Sequence, residues 1–259
     1  MRKIVGILAL FGLIAGLGWV ALKPKPEAQI LLSNATAAPL ASQPNQLAVF
    51  VTMENVGPPD QLMSASATDA QDARFSENHG PLALPSESRA SLAADGVFLT
   101  LDGIDGDLKD GRTFPISLMF EKAGTVTTRA RLVAPKVSGK AADLGLFGIG
   151  DICQVGDGEP APRIAISAEE TEGGWKIGVL SDDFEFTPNL VDGPHVPGTG
   201  HGHIYLNGLK LGRLYSSTTR IGHLPPGQHE IRVTLSTNDH RAYVIGDKPV
   251  TASIRILSD

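Results

Sequence analysis

Histidine is the residue in this sequence whose numbers and spacing could do chemistry. Six of the seven histidines, His195, His201, His203, His223, His229 and His240, fall between positions 195 and 240 of a 259-residue chain. An imidazole-rich set with an optional carboxylate suits Cu(II) first and Zn(II) second, because neutral imidazole is a ligand of intermediate softness. In GTGHGHIYLNG (198–208), His201 and His203 stand at i and i+2. On a strand both rings project from one face, about 7 Å apart along it. Further ligands are available from His240 in TNDH and His223 in IGHLPPG. Asp239, beside His240, is either a ligand or an acceptor that orients an imidazole. The candidate metal ligands are therefore His201, His203, His240 and His223. Their affinity is expected to fall as pH drops through about 6.5, where free imidazole takes up its proton. The competing expectation is a fold-defining hairpin whose buried histidines only bond backbone carbonyls.

The elements that must hold these rings read as β structure. Leu206 and Leu209 flank Asn207-Gly208, the preferred two-residue type I′ turn. That turn predicts pairing of Leu206 with Leu209, Tyr205 with Lys210, Ile204 with Leu211, His203 with Gly212 and His201 with Leu214. Ile204, Leu206, Leu209 and Leu211 then share the core face, and the histidines take the opposite one. EIRVTL (230–235) alternates strictly. Together with segments 163–168, 175–180, 201–206, 209–215 and 251–257 it predicts a β-sandwich over 163–259. Upstream, 47–54, 61–68, 97–101, 113–120 and 125–133 read as short strands separated by Gly, Pro, Asn and Asp turns. The fold class expected is all-β, with two β-sandwich domains (29–135 and 163–259) joined by a Gly/Pro/Asp-rich linker at 136–162.

Composition narrows the function further. A net charge of -6 excludes the basic stripe that a nucleic-acid partner requires. The single cysteine, Cys153, excludes an internal disulfide framework and a multi-thiolate zinc site. It could pair with a partner chain, bind metal, or simply fill space between domains. Residues 1–28 comprise Met1-Arg2-Lys3, the uncharged run 4–22 and a KPKPE spacer. This is a targeting segment that places the body outside the cytoplasm, either as an uncleaved membrane anchor or as a long cleaved signal. Neither G-x-S-x-G nor H-E-x-x-H occurs, and the chain is not expected to be an enzyme.

Two stretches of the first domain carry a resemblance. AVFVTMENVGPPDQLMSASA (48–67) and LKDGRTFPISLMFEKAGTV (108–126) resemble the opening strands and closing hairpin of the periplasmic copper chaperone family of the PCu(A)C type. The resemblance implies a cupredoxin-like sandwich, a periplasmic location, copper as the ion, and delivery to a membrane cuproenzyme or its assembly factor. The family binds Cu(I) through two His-x-Met pairs and a further Met. Here Ser76 and Asn78 stand at the first pair, Phe98 and Thr100 at the second, and the hairpin carrying the further Met is deleted between Gly80 and Leu82. Those side chains cannot rebuild a Cu(I) site. His79 reads as a solvated surface residue, and Met53, Met63 and Met119 as core fillers. The resemblance thus implies a copper chaperone fold without its own ligands, and leaves copper delivery, storage or tolerance to the C-terminal histidines. A periplasmic scaffold that binds no metal is the alternative.

Overall fold

The computed structural model describes residues 29–40, 43–76, 80–133, 152–155 and 158–259. The targeting segment 1–28, His79, Asn78 and most of the expected linker lie outside these residues. Among the described residues no helix is long and apolar enough to cross a membrane.

The first half contains β1 (Ile30–Leu40), β2 (Gln43–Asn55), β3 (Asp60–Ala67), β4 (Asp72–Phe75), β5 (Leu82–Leu84), β6 (Ser88–Leu92), β7 (Leu99–Asp102), β8 (Thr113–Phe120) and β9 (Gly124–Leu132). The second half contains β10 (Ile152–Gln154), β11 (Arg163–Thr171), β12 (Gly174–Asp182), β13 (Glu185–Phe186), β14 (Thr199–Leu206) and β15 (Leu209–Leu214). It continues with β16 (Thr218–Ile221), β17 (Gly227–Ser236), β18 (Ala242–Ile245), β19 (Lys248–Pro249) and β20 (Thr251–Ser258). Apart from one 3-10 turn at Pro188–Leu190, the regular structure of the described residues is all β, as the alternating patterns predict.

In the first half β2 is long enough to pair with two strands along one edge, β7 through Gln46–Val49 and β6 through Val51–Asn55. β1 pairs antiparallel with β2 and parallel with β9, which continues through β8 and β3 to β5. The enclosed core holds Leu47, Val49, Met53, Leu99, Phe114 and Ile116, all fully buried. The second half is a sandwich. One layer runs β20–β17–β14–β15, and the other is the three-stranded sheet of β11, β12 and β16. Ile204, Leu206, Ile231 and Val233 from the first layer meet Trp175, Ile177, Val179 and Ile221 from the second.

Three sequence expectations change in the folded chain. Asn207 and Gly208 adopt φ 48° and 80°, as a type I′ turn demands, and Leu206–Leu209 and Tyr205–Lys210 pair as expected. A β-bulge then intervenes, so Ile204 pairs with Gly212, His203 with Arg213 and Gly202 with Leu214. Leu211 is the extra residue, and it packs against both hydrophobic cores. His203 therefore faces an arginine position rather than a glycine. Second, Met53 is core but Met63 and Met119 are 41% and 46% exposed. A bulge between Leu62 and Ser64 leaves Met63 unpaired on the same outer surface as Met119. Third, part of the stretch expected as linker is strand: β10 pairs in parallel with β18 and buries Cys153 beside Leu235, Tyr243 and Val250.

The two halves touch along a seam. Lys210 on β15 pairs with Ser91 on β6, and Val97 donates its N–H to the Gly208 carbonyl at 2.9 Å. At Gly96 a Cβ would lie 2.5 Å from that carbonyl and 3.3 Å from the Tyr205 ring. Glycine at 96 is what lets the β6–β7 turn reach the hairpin. Gly96→Ala is accordingly expected to destabilise the chain by about 1–3 kcal/mol, the usual cost of forcing a methyl into a packed contact. Chemical denaturation checks it, with Leu180→Ala, at a 72% exposed position, expected to stay within about 0.5 kcal/mol of wild type.

Candidate metal centre

Strand β14 delivers the first two rings. Because side chains alternate, Ile204 and Leu206 enter the sandwich core while His201, His203 and Tyr205 occupy the other face. That face is also covered: His201 is 0%, His203 4% and Tyr205 1% exposed. His201 Nε2 and His203 Nε2 lie 3.2 Å apart. Two ligand nitrogens held at 2.0–2.1 Å from one tetrahedral ion are about 3.3 Å apart, so this spacing suits a shared ion.

The third ring comes from the tight connection between β17 and β18. Ser236 pairs with Ala242, His240 N–H donates to the Thr237 carbonyl at 3.1 Å, and His240 takes φ 65°. A left-handed backbone is uncommon for a residue with a Cβ, and it turns the imidazole back over β14. The His201 and His240 ring centres are 4.9 Å apart. One ligand atom each from His201, His203 and His240 can be chosen so that all lie within 4.8 Å of one another. Asn238, fully buried, fixes this turn: its side chain accepts from Thr187 Oγ1 at 3.0 Å and donates to Thr199 Oγ1 at 2.9 Å.

Carboxylates surround the rings. Asp192 hydrogen-bonds His240 Nε2, and this contact, ahead of all else, holds its carboxyl below the usual range. Asp239 is turned away, bonded to Arg241 Nε at 2.9 and 3.1 Å and to Thr237. The orienting role expected of Asp239 thus falls to Asp192. On the far side of His203, the buried Asp95 carboxylate receives the Nδ1 nitrogen at 2.9 Å, the Tyr205 hydroxyl at 2.8 Å and Lys210 Nζ at 2.5 Å. Burial alone would push Asp95 up, but these partners hold it far below the ordinary carboxylate range. Asp95 lies 108 residues from His203. No spacing rule could have connected them, and the AADG turn that carries Asp95 reads as an ordinary loop.

Burial also tunes the rings. It is the largest cause lowering His201, to about 3, with repulsion from His203, His240, Arg213 and Lys210 adding to it. His203 is lowered by burial despite the opposing bond to Asp95. Both shifts favour the neutral ring, the form that ligates metal. Proton competition at His201 sets in near 3 rather than at the 6.5 expected of a free ring. Nδ1 of His201 is buried with no hydrogen-bond partner, so the ring retains an unsatisfied nitrogen inside the protein.

The remaining histidines lie elsewhere. His223 is exposed on the seam, its N–H bonded to Ser86 Oγ at 2.9 Å, and the fold does not bring it to the other three. His229 is a satisfied core residue: one ring nitrogen is 2.8 Å from the Pro225 carbonyl and the other 3.1 Å from the Asn207 amide. His195 stands 3.7 Å from Cys153 Sγ, whose thiol burial pushes upward in pKa. In the first half, Ser76 and Phe98 form a closed backbone and side-chain pair, Ser76 Oγ accepting the Phe98 N–H at 3.1 Å.

Comparison with known proteins bears on the first half. Residues 30–132 match the family model described as "Putative lipoprotein LpqE-like". No curated protein matches the chain. Among solved structures, the chain is similar to a copper-bound PCuAC domain from PmoF2, at 26% identity over 41% of this chain and 93% of that one, with a TM-score of 0.37. It is similar also to an apo PCuAC domain from PmoF1, at 23% identity over 41% and 94%, with a TM-score of 0.38. The three-histidine group lies in residues 201–240, beyond the segment the family model matches.

Two outcomes follow from this geometry. An unfolded His201 takes a proton near 6.5, whereas the folded one stays neutral to about 3. Between those values the unfolded state binds more protons, so stability must fall as pH drops through that window. His203 adds in the same direction, while Asp95, Asp192 and Asp239, held low, begin to lose their stabilisation as pH falls through the ordinary carboxylate range. The metal-free midpoint of thermal unfolding should fall between pH 6.5 and 4.5, and fall less steeply in His201→Gln. Separately, His240→Asn keeps a residue that tolerates φ near 65°. Its stability should stay within about 0.5 kcal/mol of wild type, while calorimetric titration shows metal affinity reduced at least tenfold.

Proposed function

We propose that this protein binds one copper ion outside the cytoplasm through His201, His203 and His240 and serves copper delivery, storage or tolerance. The observation that carries this reading is the convergence of three imidazoles within 4.8 Å, two of them buried, with His240 reaching the pair from 37 residues beyond His203. The donor set is all nitrogen, with carboxylates as hydrogen-bond partners. That set suits Cu(II), with Zn(II) as the competing ion, and lacks the thioethers that favour Cu(I). Among the described residues this is the one His/Cys/Asp/Glu group with ligand atoms so close together. We read it as a binding site and not as the centre of an enzyme.

Copper over zinc is supported by the first half, whose sequence is similar to a domain solved with copper bound. A location outside the cytoplasm is supported by the apolar run 4–22 and by the match of residues 30–132 to a putative lipoprotein family. We assign tethering to the apolar run 4–22, with a long cleaved signal as the alternative. A tethered carrier would hand its ion to an acceptor in the same membrane, and a membrane cuproenzyme or its assembly factor is the partner class this implies.

The scaffold alternative draws on one observation: Ser76 and Phe98 occupy, as a bonded pair, positions where the resemblance places copper ligands. Equilibrium dialysis separates the two. Metal-free protein at neutral pH should take up about one Cu(II) per chain, and His201→Ala combined with His203→Ala should abolish uptake. Full uptake by the double variant would overturn the site, and no uptake by the wild type would favour the scaffold.

A further inference from the structure

The carboxylate that completes the histidine site does not belong to the half that carries the histidines. Asp95 lies in the turn between β6 and β7, and its side chain is 4% exposed. All three of its donors, His203, Tyr205 and Lys210, come from the hairpin of β14 and β15. A charge so buried must be matched, and here one ammonium and two further donors surround a single oxygen.

The arrangement fixes the chemistry of His203. An anionic oxygen 2.9 Å from Nδ1 requires that nitrogen to carry the proton, because two lone pairs at that distance would repel. The unshared pair of His203 is then on Nε2, the nitrogen that faces His201 at 3.2 Å. An imidazole donating to a carboxylate is also a stronger electron donor to metal than one donating to water. Lys210 Nζ and the Tyr205 hydroxyl also approach Nδ1, at 3.2 and 3.4 Å, but both sit closer to Asp95, at 2.5 and 2.8 Å, so their protons go to the carboxylate and Nδ1 donates to it as well.

We propose that Asp95 is the positioning residue of the metal site, setting the tautomer and donor strength of His203 from across the seam between the two halves. This rests on the three-histidine reading above. It gives the first half a part in metal binding without requiring it to supply a ligand. It also couples the two events: an ion that binds best with Asp95 in place stabilises the docked seam, and the docked seam tightens the ion. Stronger donation from His203 favours Cu(II) over Cu(I), so Asp95 holds the reduction potential of bound copper down.

The test is Asp95→Asn in the full chain, a near-isosteric change that keeps a hydrogen-bond acceptor and removes the charge. Competition titration against a chromophoric chelator should show affinity for Cu(II) and for Zn(II) reduced by about 10- to 100-fold. The potential of bound copper should move to more positive values. A tenfold larger loss for Cu(II) than for Cu(I) would read as about 59 mV. A merely structural role would lower stability without moving the potential. Folded Asp95→Asn with wild-type affinity and an unmoved potential would overturn the proposal. Loss of binding in the His201→Ala, His203→Ala variant alongside normal binding in Asp95→Asn would leave the site standing and remove only the role of Asp95. Should Asp95→Asn not fold, Gly96→Ala keeps every polar group and displaces the turn. Reduced affinity supports the proposal there, and wild-type affinity contradicts it.

Discussion

A carboxylate buried at the seam is the constraint around which this molecule is arranged. Removing Asp95 from water would by itself raise its pKa and disfavour the charge, yet its partners hold it ionised. Lys210, a fifth exposed at its side chain, supplies the compensating charge, and Tyr205 and His203 supply fixed donors. Burying such a group is tolerable only while all three remain in place, since one missing partner leaves an uncompensated charge. The close packing of the turn on the hairpin, with Gly96 against Gly208, is therefore a requirement of electrostatics as much as of shape. Tyr205 is itself braced by Arg232, whose guanidinium sits 4.0 Å from the ring centre.

The same burial disfavours protonation of the rings. An imidazole in water spends part of its time protonated near neutral pH, and a metal must displace that proton. His201 and His203 are relieved of it by low dielectric and by the positive charges of Lys210 and Arg213. Those charges would also repel an ion, and Asp95 on His203 and Asp192 on His240 offset them. His240 is different, held by backbone geometry: its φ of 65° is sustained because Asn238 ties the turn to Thr187 and Thr199. Local strain survives where surrounding bonds over-determine it.

Much of this was legible in the chain, and what was not has identifiable causes. The strand Thr113–Phe120 and the Asn207-Gly208 turn follow from alternation and turn chemistry, because both are set by neighbours in sequence. His201 and His203 share a face for the same reason. The bulge at Leu211 was invisible, since it answers to two hydrophobic cores that meet at that residue, and register logic assumes one. Met63 and Met119 read as core because hydrophobicity says nothing of which side a bulge exposes. Short strands such as β5 and β6 carry too few residues for a period to emerge. Asp95 was beyond reach altogether, a single acidic residue in a turn whose meaning lies in contacts 108 to 115 positions away.

Those long-range contacts bear on how the halves should be regarded. Leu209, from the histidine hairpin, is fully buried in the core of the first half, and Ala83, from β5, is buried in the core of the second. Each core thus borrows a residue from the other, and Leu211 lies against both. Interfaces between loosely joined domains are usually more polar and smaller than a core, and permit relative motion. Exchanged core residues, a backbone bond from Val97 to Gly208 and a part-buried ion pair make motion at this seam costly. The position of His203 relative to His201 and His240 is then inherited from the packing of the whole chain. A fragment spanning only 163–259 would keep all three histidines and lose the carboxylate that orients one of them.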